Sequence, residues 1–586
     1  MPPSNSASVH VPCSHLVPSV PLRWNAPSGP AAFGLYTVLA LLPFIHKAFH
    51  IDDPLFLWTA RQIQAHPADF YGFTINWNGR RSPVYVVMKN PPGMGYYLAG
   101  AAAVVGWSEP AVHLACLVPA VAAIVGTWSL ARRFCGRPAI AALSVLAAPA
   151  FLVSSTNVMC DTLLVALFVW GVELWLAGLE HDSPMRLAAS ALIIGAAALT
   201  KYFAVSLIPL LTVATLLDRR RACRELLYLL LPIALLAAYE AWTWNLYGRG
   251  LLWDAGSYSV STRENYGIPA GERLLNTLSF LGGGMFPIAV CGPLLFRPRV
   301  LAGLTLAAVL LVVLSGIKPA LFAESVASAE TAISPHPWRI AGHLTVFVAA
   351  GLLAIALVAA DAWRRRDRQS MLLALWIAGT LSFAAGLNWT VSGRSLLPAV
   401  PALGIALARA IESSGGLRGR RWNLSAGLVA ALALAVAWAV TGGDQQLANA
   451  ARRAAGAALR QLQSEGHSIW FSGHWGFQWY MEEGGAKPIT IGESKMRAGD
   501  GAVFPFRNTG VFGPPDEALE PIDVTCVPLR SWMSTMEKSL GAGFYSDVYG
   551  PLPFVVGNGT RDCYGLMRFR ADVAITPDGV WVPRQE

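Results

Sequence analysis

The chain is poor in charged residues for its length. Charged side chains make up 13% of its 586 residues, whereas soluble proteins usually contain about 25%. Hydrophobic residues make up 54%, and they recur in runs long enough to span a bilayer. This composition excludes an ordinary soluble protein and predicts an integral membrane protein. The net charge of +9 comes from short basic clusters between the apolar runs, so it indicates cytoplasmic loops rather than nucleic-acid binding.

Cysteine is scarce too, and its spacing does not suit a metal. The eight cysteines include no CxxC pair, which argues against a structural zinc site. Most lie in or next to apolar runs, where a small buried hydrophobe is the simpler interpretation. Cys526 and Cys563 are the two in the C-terminal region, and we predict that they approach each other if that region is external. The isolated histidines show no ligand spacing, and the chain has no Walker A, GxSxG or dinucleotide motif.

The basic clusters predict how the chain threads through the membrane. Residues 1–30 are polar and rich in Pro and Ser, so we expect a cytoplasmic tail rather than a cleaved signal peptide. If five arginine clusters all face the cytoplasm, an even number of spans separates each from the next. These clusters are Arg132, Arg133 and Arg137; Arg219, Arg220, Arg221 and Arg224; Arg297 and Arg299; Arg364, Arg365, Arg366 and Arg368; and Arg418, Arg420 and Arg421.

The expected architecture is a polytopic α-helical membrane protein with about 13 transmembrane helices. The expected spans are near 31–49, 110–131, 139–155, 162–179, 187–200, 203–217, 226–244, 277–296, 301–317, 341–360, 371–386, 395–411 and 424–441. The short run 94–106 is interpreted as an in-plane or re-entrant helix, because one more span there would put Arg132 outside. Residues 49–109 then form one long external loop, in which 55–66 lie at the membrane interface.

Composition changes after about residue 441, where charged residues, Gly and Pro return. The chain is therefore divided into a cytoplasmic tail (1–30), a transmembrane domain (31–441) and an external soluble domain (442–586). The soluble part is long enough for one core, and we expect a mixed α/β fold. The multi-pass protein is expected in the inner or plasma membrane, with a cytoplasmic N-terminus and a periplasmic C-terminal domain.

Unusual polar residues collect on the predicted external side. Carboxylates beside a bilayer are costly and are retained mainly for function. Cationic side chains there suit the phosphate of a lipid carrier, and a carboxylate can take the proton of an acceptor hydroxyl. The residues concerned are Asp52, Asp53, Asp161, Lys89, Lys201 and Arg394.

Each of these residues also has a structural interpretation. The Asp52–Asp53 pair can be a helix cap or an interfacial solvated group, and Asp161 can cap its own span. Lys89 and Lys201 can extend their ammonium groups to lipid headgroups, and Arg394 can be an interfacial anchor. The sequence alone leaves both interpretations open.

In order and spacing, these segments resemble the glycosyltransferase-C superfamily, in the branch of protein O-mannosyltransferase-like and lipid A aminoarabinose transferase-like enzymes. The resemblance covers about residues 31–220 and returns at 388–410. It rests on the Asp52–Asp53 pair with Ala60, Arg61, Gln62 and Ile63; Lys89 to Pro92 with Tyr96 and Tyr97; Ser108 and Glu109; Met159, Cys160 and Asp161; Leu199, Thr200 and Lys201; and Arg394 to Pro398 with Pro401.

The resemblance implies that Asp52 is the catalytic acid–base residue, with Asp53 beside it and Asp161 as a second external carboxylate. It implies that Lys89 and Lys201 contact the lipid phosphate, and Arg394 and Arg61 are the further substrate-binding candidates. The family's usual Asp-Glu is Asp-Asp here, and Met88 stands where a carboxylate often opens the in-plane helix. A divalent metal is therefore left open. Leu55 replaces an Arg of the aminoarabinose enzymes, so that substrate is not implied.

The leading hypothesis is an integral membrane glycosyltransferase of the cell envelope, which moves a sugar from a polyprenyl-phosphate carrier to an external lipid, glycan or protein. Its expected partners are that donor and membrane lipids, with no nucleic acid and an oligomeric state that the sequence leaves open. The alternative is a membrane transporter or lipid flippase, which usually contains repeats with broken helices at mid-membrane. The sequence contains no second copy of the acidic pair or of the Lys89 segment.

Overall fold

The structure is a computed structural model that describes residues 29–217, 223–315, 337–414, 420–463, 466–557 and 561–583. Residues 1–28 of the predicted tail, Arg219, Arg220, Arg221 and Arg418 lie outside the described residues. The helices of the first half are α1 Pro30–Leu41, α2 Asp53–Ala65, α3 Val84–Val87, α4 Gly93–Val105, α5 Glu109–Phe134, α6 Pro138–Leu146, α7 Pro149–Ser155, α8 Asp161–Glu180, α9 Pro184–Ala198 and α10 Leu207–Leu216.

The second half of the transmembrane region is also helical, and its last helix continues into the C-terminal domain. These helices are α11 Leu230–Tyr247, α12 Leu251–Tyr266, α13 Ala270–Gly284, α14 Phe286–Leu295, α15 Pro298–Leu314, α16 Pro337–Arg365, α17 Arg368–Ser382, α18 Gly393–Leu396, α19 Val400–Ser413, α20 Arg420–Leu462 and α21 Trp475–Glu483.

Seven helical segments among the described residues are long and apolar enough to cross a membrane, or up to nine if two bent pairs are each one span. The bent pairs are α6 with α7, at 60°, and α13 with α14, at 80°. Pro149 accounts for the first bend, because proline cannot donate the backbone hydrogen bond that would continue α6. Five shorter apolar helices are also present. The polytopic helical class is confirmed, and the count of 13 spans stays a prediction.

The long loop after α1 is folded rather than extended. It contains α2, a hairpin of β1 (Thr74–Trp77) and β2 (Arg80–Pro83), α3 and α4. Asn78 and Gly79 turn the hairpin with φ of 56° and 73°, the conformation for which Asn-Gly is favoured. Helix α4 occupies nearly the bounds predicted for the in-plane helix. The apolar face of α2 is buried, with Leu55, Phe56 and Leu57 at most 7% exposed.

A mixed sheet forms the centre of the C-terminal domain, so the expected α/β class is confirmed. Its strands are β3 Ile469–Phe471, β4 Lys487–Pro488, β5 Lys495–Met496, β6 Gly501–Pro505, β7 Leu519–Pro528, β8 Met533–Ser534, β9 Met536–Glu537, β10 Ala542–Gly543, β11 Val555–Val556, β12 Arg561–Phe569, β13 Val573–Ile575 and β14 Trp581–Pro583. The main sheet has the order β4-β3-β6-β12-β7. Strand β3 is parallel to β4 and β6, and β12 is antiparallel to β6 and β7.

Two features join this domain to the rest of the protein. Helix α20 is continuous through the predicted boundary at 441/442, and its last turns pack Ala454, Ala458 and Leu462 against the sheet. A second apolar core contains residues of α2, α4 and the segment 533–555 together. The first loop and the C-terminal domain therefore pack as neighbours.

Cys526 and Cys563 face each other on β7 and β12 and form a disulfide, as predicted.

Candidate active site

A cavity of about 1450 Å³ lies between the first loop, α12 and the C-terminal domain. Five of the seven sequence-predicted site residues line it, namely Asp52, Lys89, Asp161, Lys201 and Arg394. They come from the start of α2, the segment before α4, the start of α8, the segment after α9 and α18. Residues up to 342 positions apart are thus placed around one space large enough for a small-molecule substrate.

A strained residue directs Asp52 into this cavity. Ile51 has φ +46° although it is β-branched and 3% exposed, a conformation that costs on the order of 1–3 kcal/mol. The next two carboxylates point in different directions as a result. The Asp52 side chain is 30% exposed, and its Oδ2 lies 3.2 Å from Nη2 of Arg394. An accessible carboxylate held by one cation is suited to accept a proton from a bound hydroxyl.

Asp53 has a different environment and does not line the cavity. Its Oδ2 accepts a hydrogen bond from the His50 N–H at 2.8 Å, and its Oδ1 accepts one from the Val158 N–H at 2.8 Å. The residue is completely buried. Asp53 therefore fixes the turn that precedes α2 to the segment before α8, and this geometry supports a structural contribution rather than contact with substrate.

Asp161 is the centre of a second charged group. Its Oδ1 accepts a hydrogen bond from Lys201 Nζ at 2.5 Å, and its Oδ2 lies 3.9 Å from Nη1 of Arg394. The Asp161 side chain is 2% exposed, whereas Lys201 is 22% exposed toward the cavity. The Nε of Arg394 is buried and has no hydrogen-bond partner among the described residues. The two cations are therefore held by Asp161 with donor hydrogens still available to an anion.

Lys89 reaches the cavity from another side. Its Nζ lies 2.5 Å from Oδ2 of Asp254 and 5.0 Å from the ring centre of Tyr258. Asp254 and Tyr258 belong to α12, which lies between the spans predicted near 226–244 and 277–296. The acidic residue in Leu251-Leu252-Trp253-Asp254 was the available signal for this partner. Lys89 is thus a third positioned cation.

Arg61 lies outside the cavity lining. It donates to Glu483 Oε1 at 2.6 Å, and its guanidinium is 4.5 Å from the ring centre of Trp479. Both partners belong to α21, so Arg61 joins the first loop to the C-terminal domain. The observed contacts do not bring Arg61 to the other predicted site residues.

A buried polar network beneath Arg394 was not found from the sequence. Lys47 Nζ donates to Asn157 at 2.5 Å and to Asp444 at 2.6 Å, and both ionic side chains are fully buried. Tyr545 donates to Asp444 at 2.8 Å, and its ring centre lies 5.4 Å from the Arg394 guanidinium. The signal was an acid, Asp444, directly after the apolar part of α20. The network joins the segment after α1, the segment between α7 and α8, α20 and the C-terminal domain.

His50 lies at the edge of this network and also lines the cavity. Its Nε2 is 3.7 Å from Asp444 Oδ1. Burial lowers the pKa of His50 to about 4, although the Asp444 charge opposes that change. His50 is therefore neutral at physiological pH, and it does not compete with Arg394 for the Asp52 carboxylate.

The donor set does not fit the divalent metal that the family resemblance leaves open. Asp52 and Asp161 face the guanidinium of Arg394, and Asp161 also pairs with Lys201. Across the described residues, no group of three or more His, Cys, Asp or Glu side chains is arranged to hold a metal ion. Met88, 5% exposed, supplies no oxygen ligand. The positive charge at this site comes from Lys and Arg.

Part of the chain that carries these residues matches a known protein family. Residues 89–244 match the model of the dolichyl-phosphate-mannose-protein mannosyltransferase family. Over this segment, about a quarter of the chain, the sequence is similar to that family. The predicted family resemblance is thus confirmed. The matched segment includes Lys89, Asp161 and Lys201, and it ends before Arg394. No curated protein sequence matches the chain significantly.

Solved glycosyltransferase-C structures are similar to the chain at low identity. One is the archaeal oligosaccharyltransferase AglB from Archaeoglobus fulgidus, in complex with an inhibitory peptide and a dolichol-phosphate, at 14% identity and a TM-score of 0.44; the match covers 79% of this chain and 64% of that one. Another is ArnT from Cupriavidus metallidurans bound to undecaprenyl phosphate, at 18% identity and a TM-score of 0.43, covering 81% of this chain and 92% of that one. The chain thus spans less than two thirds of the oligosaccharyltransferase.

Proposed function

We propose that the chain is an integral membrane glycosyltransferase that moves a sugar from a polyprenyl-phosphate carrier to an external acceptor. The observation that carries this proposal is one cavity with three positioned cations, Lys89, Lys201 and Arg394, and one accessible carboxylate, Asp52. A lipid-linked sugar phosphate requires fixed positive charge where its leaving phosphate develops negative charge. The acceptor requires a base.

The roles follow from the contacts. Lys201 and Arg394 bind the phosphate through hydrogens that Asp161 leaves unused. Lys89, which pairs with Asp254 of α12, approaches the same anion from the segment before α4. The acceptor oxygen attacks the anomeric carbon, and the bond between that carbon and the phosphate oxygen breaks. Asp52 takes the acceptor proton, and the carrier leaves as polyprenyl phosphate. The acceptor proton and the leaving phosphate therefore each have a partner among the residues that line the cavity.

An external position of the C-terminal domain is part of this proposal. The Cys526–Cys563 disulfide supports it, since disulfides persist in oxidising compartments. The cavity opens between the first loop and that domain, so the acceptor would enter from outside the cell membrane. The transporter alternative expects its site near mid-membrane, which the position of this cavity does not favour.

Donor binding tests the proposed cations. We expect Lys201→Ala to raise the Kd for undecaprenyl phosphate by about 10-fold or more, since a charge-assisted hydrogen bond contributes about 1.5–3 kcal/mol. Binding to purified protein in detergent gives the measurement. Lys495→Ala is the matched control, because Lys495 is exposed and does not line the cavity. Equal affinity for the two variants would contradict the assignment of Lys201.

A further inference from the structure

The C-terminal domain builds one wall of the cavity. Trp475 and Tyr549 line this wall with their rings 5.7 Å apart and inclined at 57°. Nothing in the proposed donor chemistry requires these aromatic groups. Their place in the cavity means that the C-terminal domain contributes to the site itself.

The backbone holds Trp475 in a conformation that packing alone does not explain. Trp475 has φ +64°, which is rare for a bulky residue and recurs at functional sites. Asn508 fixes the preceding residue by accepting from the His474 N–H at 2.9 Å and donating to its carbonyl at 3.1 Å. Gly476 lies against the backbone of Phe49, where a Cβ would stand 1.9 Å from the carbonyl oxygen. Trp475 is therefore clamped directly beside the segment that carries Asp52.

Tyr549 connects the tryptophan to the base. Burial raises the pKa of Tyr549, and the Asp52 carboxylate adds to this increase. Trp475, Tyr549 and Asp52 all line the same cavity. An acceptor resting on Trp475 and Tyr549 would thus lie within the surroundings of Asp52.

Two carboxylates of the C-terminal domain also line the cavity. Glu537 accepts hydrogen bonds from Arg507 and, at 2.6 Å, from Ser539. Asp562 accepts from the Tyr564 hydroxyl at 2.6 Å. Both acids line the cavity and are at most 5% exposed. A wall of this kind combines flat apolar surface with fixed hydrogen-bond acceptors.

We propose that this wall is the acceptor subsite and that it binds a carbohydrate ring, an inference that rests on the proposed function. A pyranose has an apolar face of C–H groups that matches an aromatic ring, and hydroxyls at its edge that match carboxylates. An acyl chain matches only the aromatic part of this wall, because it offers no hydroxyl to the carboxylates that line the cavity. A peptide in extended form would be expected to pair with a free sheet edge, whereas this wall presents side chains.

The proposal specifies how the acceptor reacts. The sugar stacks on Trp475 and places one hydroxyl toward Asp52. The oxygen of that hydroxyl forms the new bond to the donor's anomeric carbon, and its proton passes to Asp52. Trp475 binds the acceptor in this scheme, and it does not contact the donor phosphate.

Saturation-transfer NMR on the full-length protein in detergent tests the subsite. The probes are methyl glucoside, methyl mannoside, N-acetylglucosamine, maltotriose and cellotriose, with a polyglycine–serine peptide as the non-carbohydrate probe. We expect at least one sugar to bind wild type. Its Kd should rise by about 10-fold or more in Trp475→Ala and by less in Trp475→Phe. Trp532→Ala is the matched control, because Trp532 is 60% exposed in the same domain and does not line the cavity.

Each outcome decides the proposal. Sugar binding that depends on Trp475 and is insensitive to Trp532 supports it. No sugar signal in wild type, equal effects of the two substitutions, or a Trp475-dependent signal from the peptide alone would overturn it. Undecaprenyl phosphate binding, measured on the same samples, separates the two hypotheses. If wild type binds undecaprenyl phosphate but no sugar, only the acceptor subsite is rejected. If wild type does not bind undecaprenyl phosphate, the proposed function is rejected.

Discussion

At the scale of single residues, two adjacent aspartates have different environments. The unusual backbone of Ile51 turns Asp52 toward the cavity and Asp53 into the protein. Asp53 accepts two backbone N–H groups, while Asp52 faces Arg394 and solvent. An acidic pair predicts a site from sequence, but it does not tell which member faces substrate, because that depends on one backbone angle.

Asp53→Asn should affect folding more than chemistry. The amide keeps one acceptor oxygen, and its NH₂ group replaces the other. One of the two backbone N–H groups that bind Asp53 would therefore lose its acceptor. We expect the free energy of unfolding to fall by about 1–3 kcal/mol, measured by thermal unfolding in detergent. Asp52→Asn is the control and should unfold near the wild-type temperature. Equal stability of Asp53→Asn and wild type would contradict the structural assignment.

The sequence prediction succeeded for residues whose charge was anomalous for their surroundings. Lys201 interrupts two apolar segments and Asp161 begins one, so each was recognisable without a structure. Asp254 was missed because an acid in an interfacial helix is common. Trp475 was not among the predicted site residues, because its position in the cavity depends on the contact of Gly476 with Phe49, more than 400 residues away in the chain.

At the scale of elements, the hairpin of the first loop is fastened to the C-terminal domain through His474. The Asn78 N–H donates to His474 Nε2 at 2.9 Å, and the Trp77 ring stacks on the imidazole at 4.7 Å. Burial lowers the pKa of His474 to about 4. The imidazole must therefore stay neutral for this contact to persist.

Acidification should weaken this contact. The unfolded chain binds the proton more tightly than the folded one, so the stability from His474 is present above about pH 6.5 and is lost as pH falls toward 4. The loss is at most about 1.4 kcal/mol per pH unit. We expect unfolding temperatures between pH 7.5 and 5 to fall less for His474→Gln than for wild type. His181→Gln, an exposed control, should follow wild type; parallel curves for all three would contradict the account.

The elements themselves were predictable where one property determined them. The in-plane helix and the long apolar helices lie near their predicted positions. The bends at α6–α7 and α13–α14 and the continuation of α20 to Leu462 were not expected. Hydropathy reports where a segment is apolar, whereas bends and docking against the sheet depend on tertiary packing. The domain boundary near 441/442 therefore stays a prediction.

At the scale of the whole molecule, the account requires one orientation in the membrane. The base, the cations and the C-terminal domain surround one cavity, so they must all face the same side. The arginine clusters predict that this side is external. Reporter fusions provide the measurement.

We expect a fusion truncated at Arg420 to report the cytoplasm and one truncated after Leu462 to report the external space, since the apolar part of α20 lies between these positions. A second external reporter at Asn78 would be expected from the position of the hairpin. A cytoplasmic signal at both Leu462 and Asn78 would contradict the orientation. If the reporters at Leu462 and Asn78 lay on opposite sides of the membrane, the first loop and the C-terminal domain could not line one cavity.

The most direct test of the central claim is transfer and donor binding by Asp52→Asn. The amide is nearly isosteric but cannot take the acceptor proton, and loss of a general base costs about 10²–10⁴-fold in rate. The account predicts that transfer from a polyprenyl-phosphate sugar falls by that factor, while the Kd for undecaprenyl phosphate stays within about threefold of wild type. Near-normal turnover by Asp52→Asn, with transfer abolished instead in Asp161→Asn, would contradict the assignment of the base.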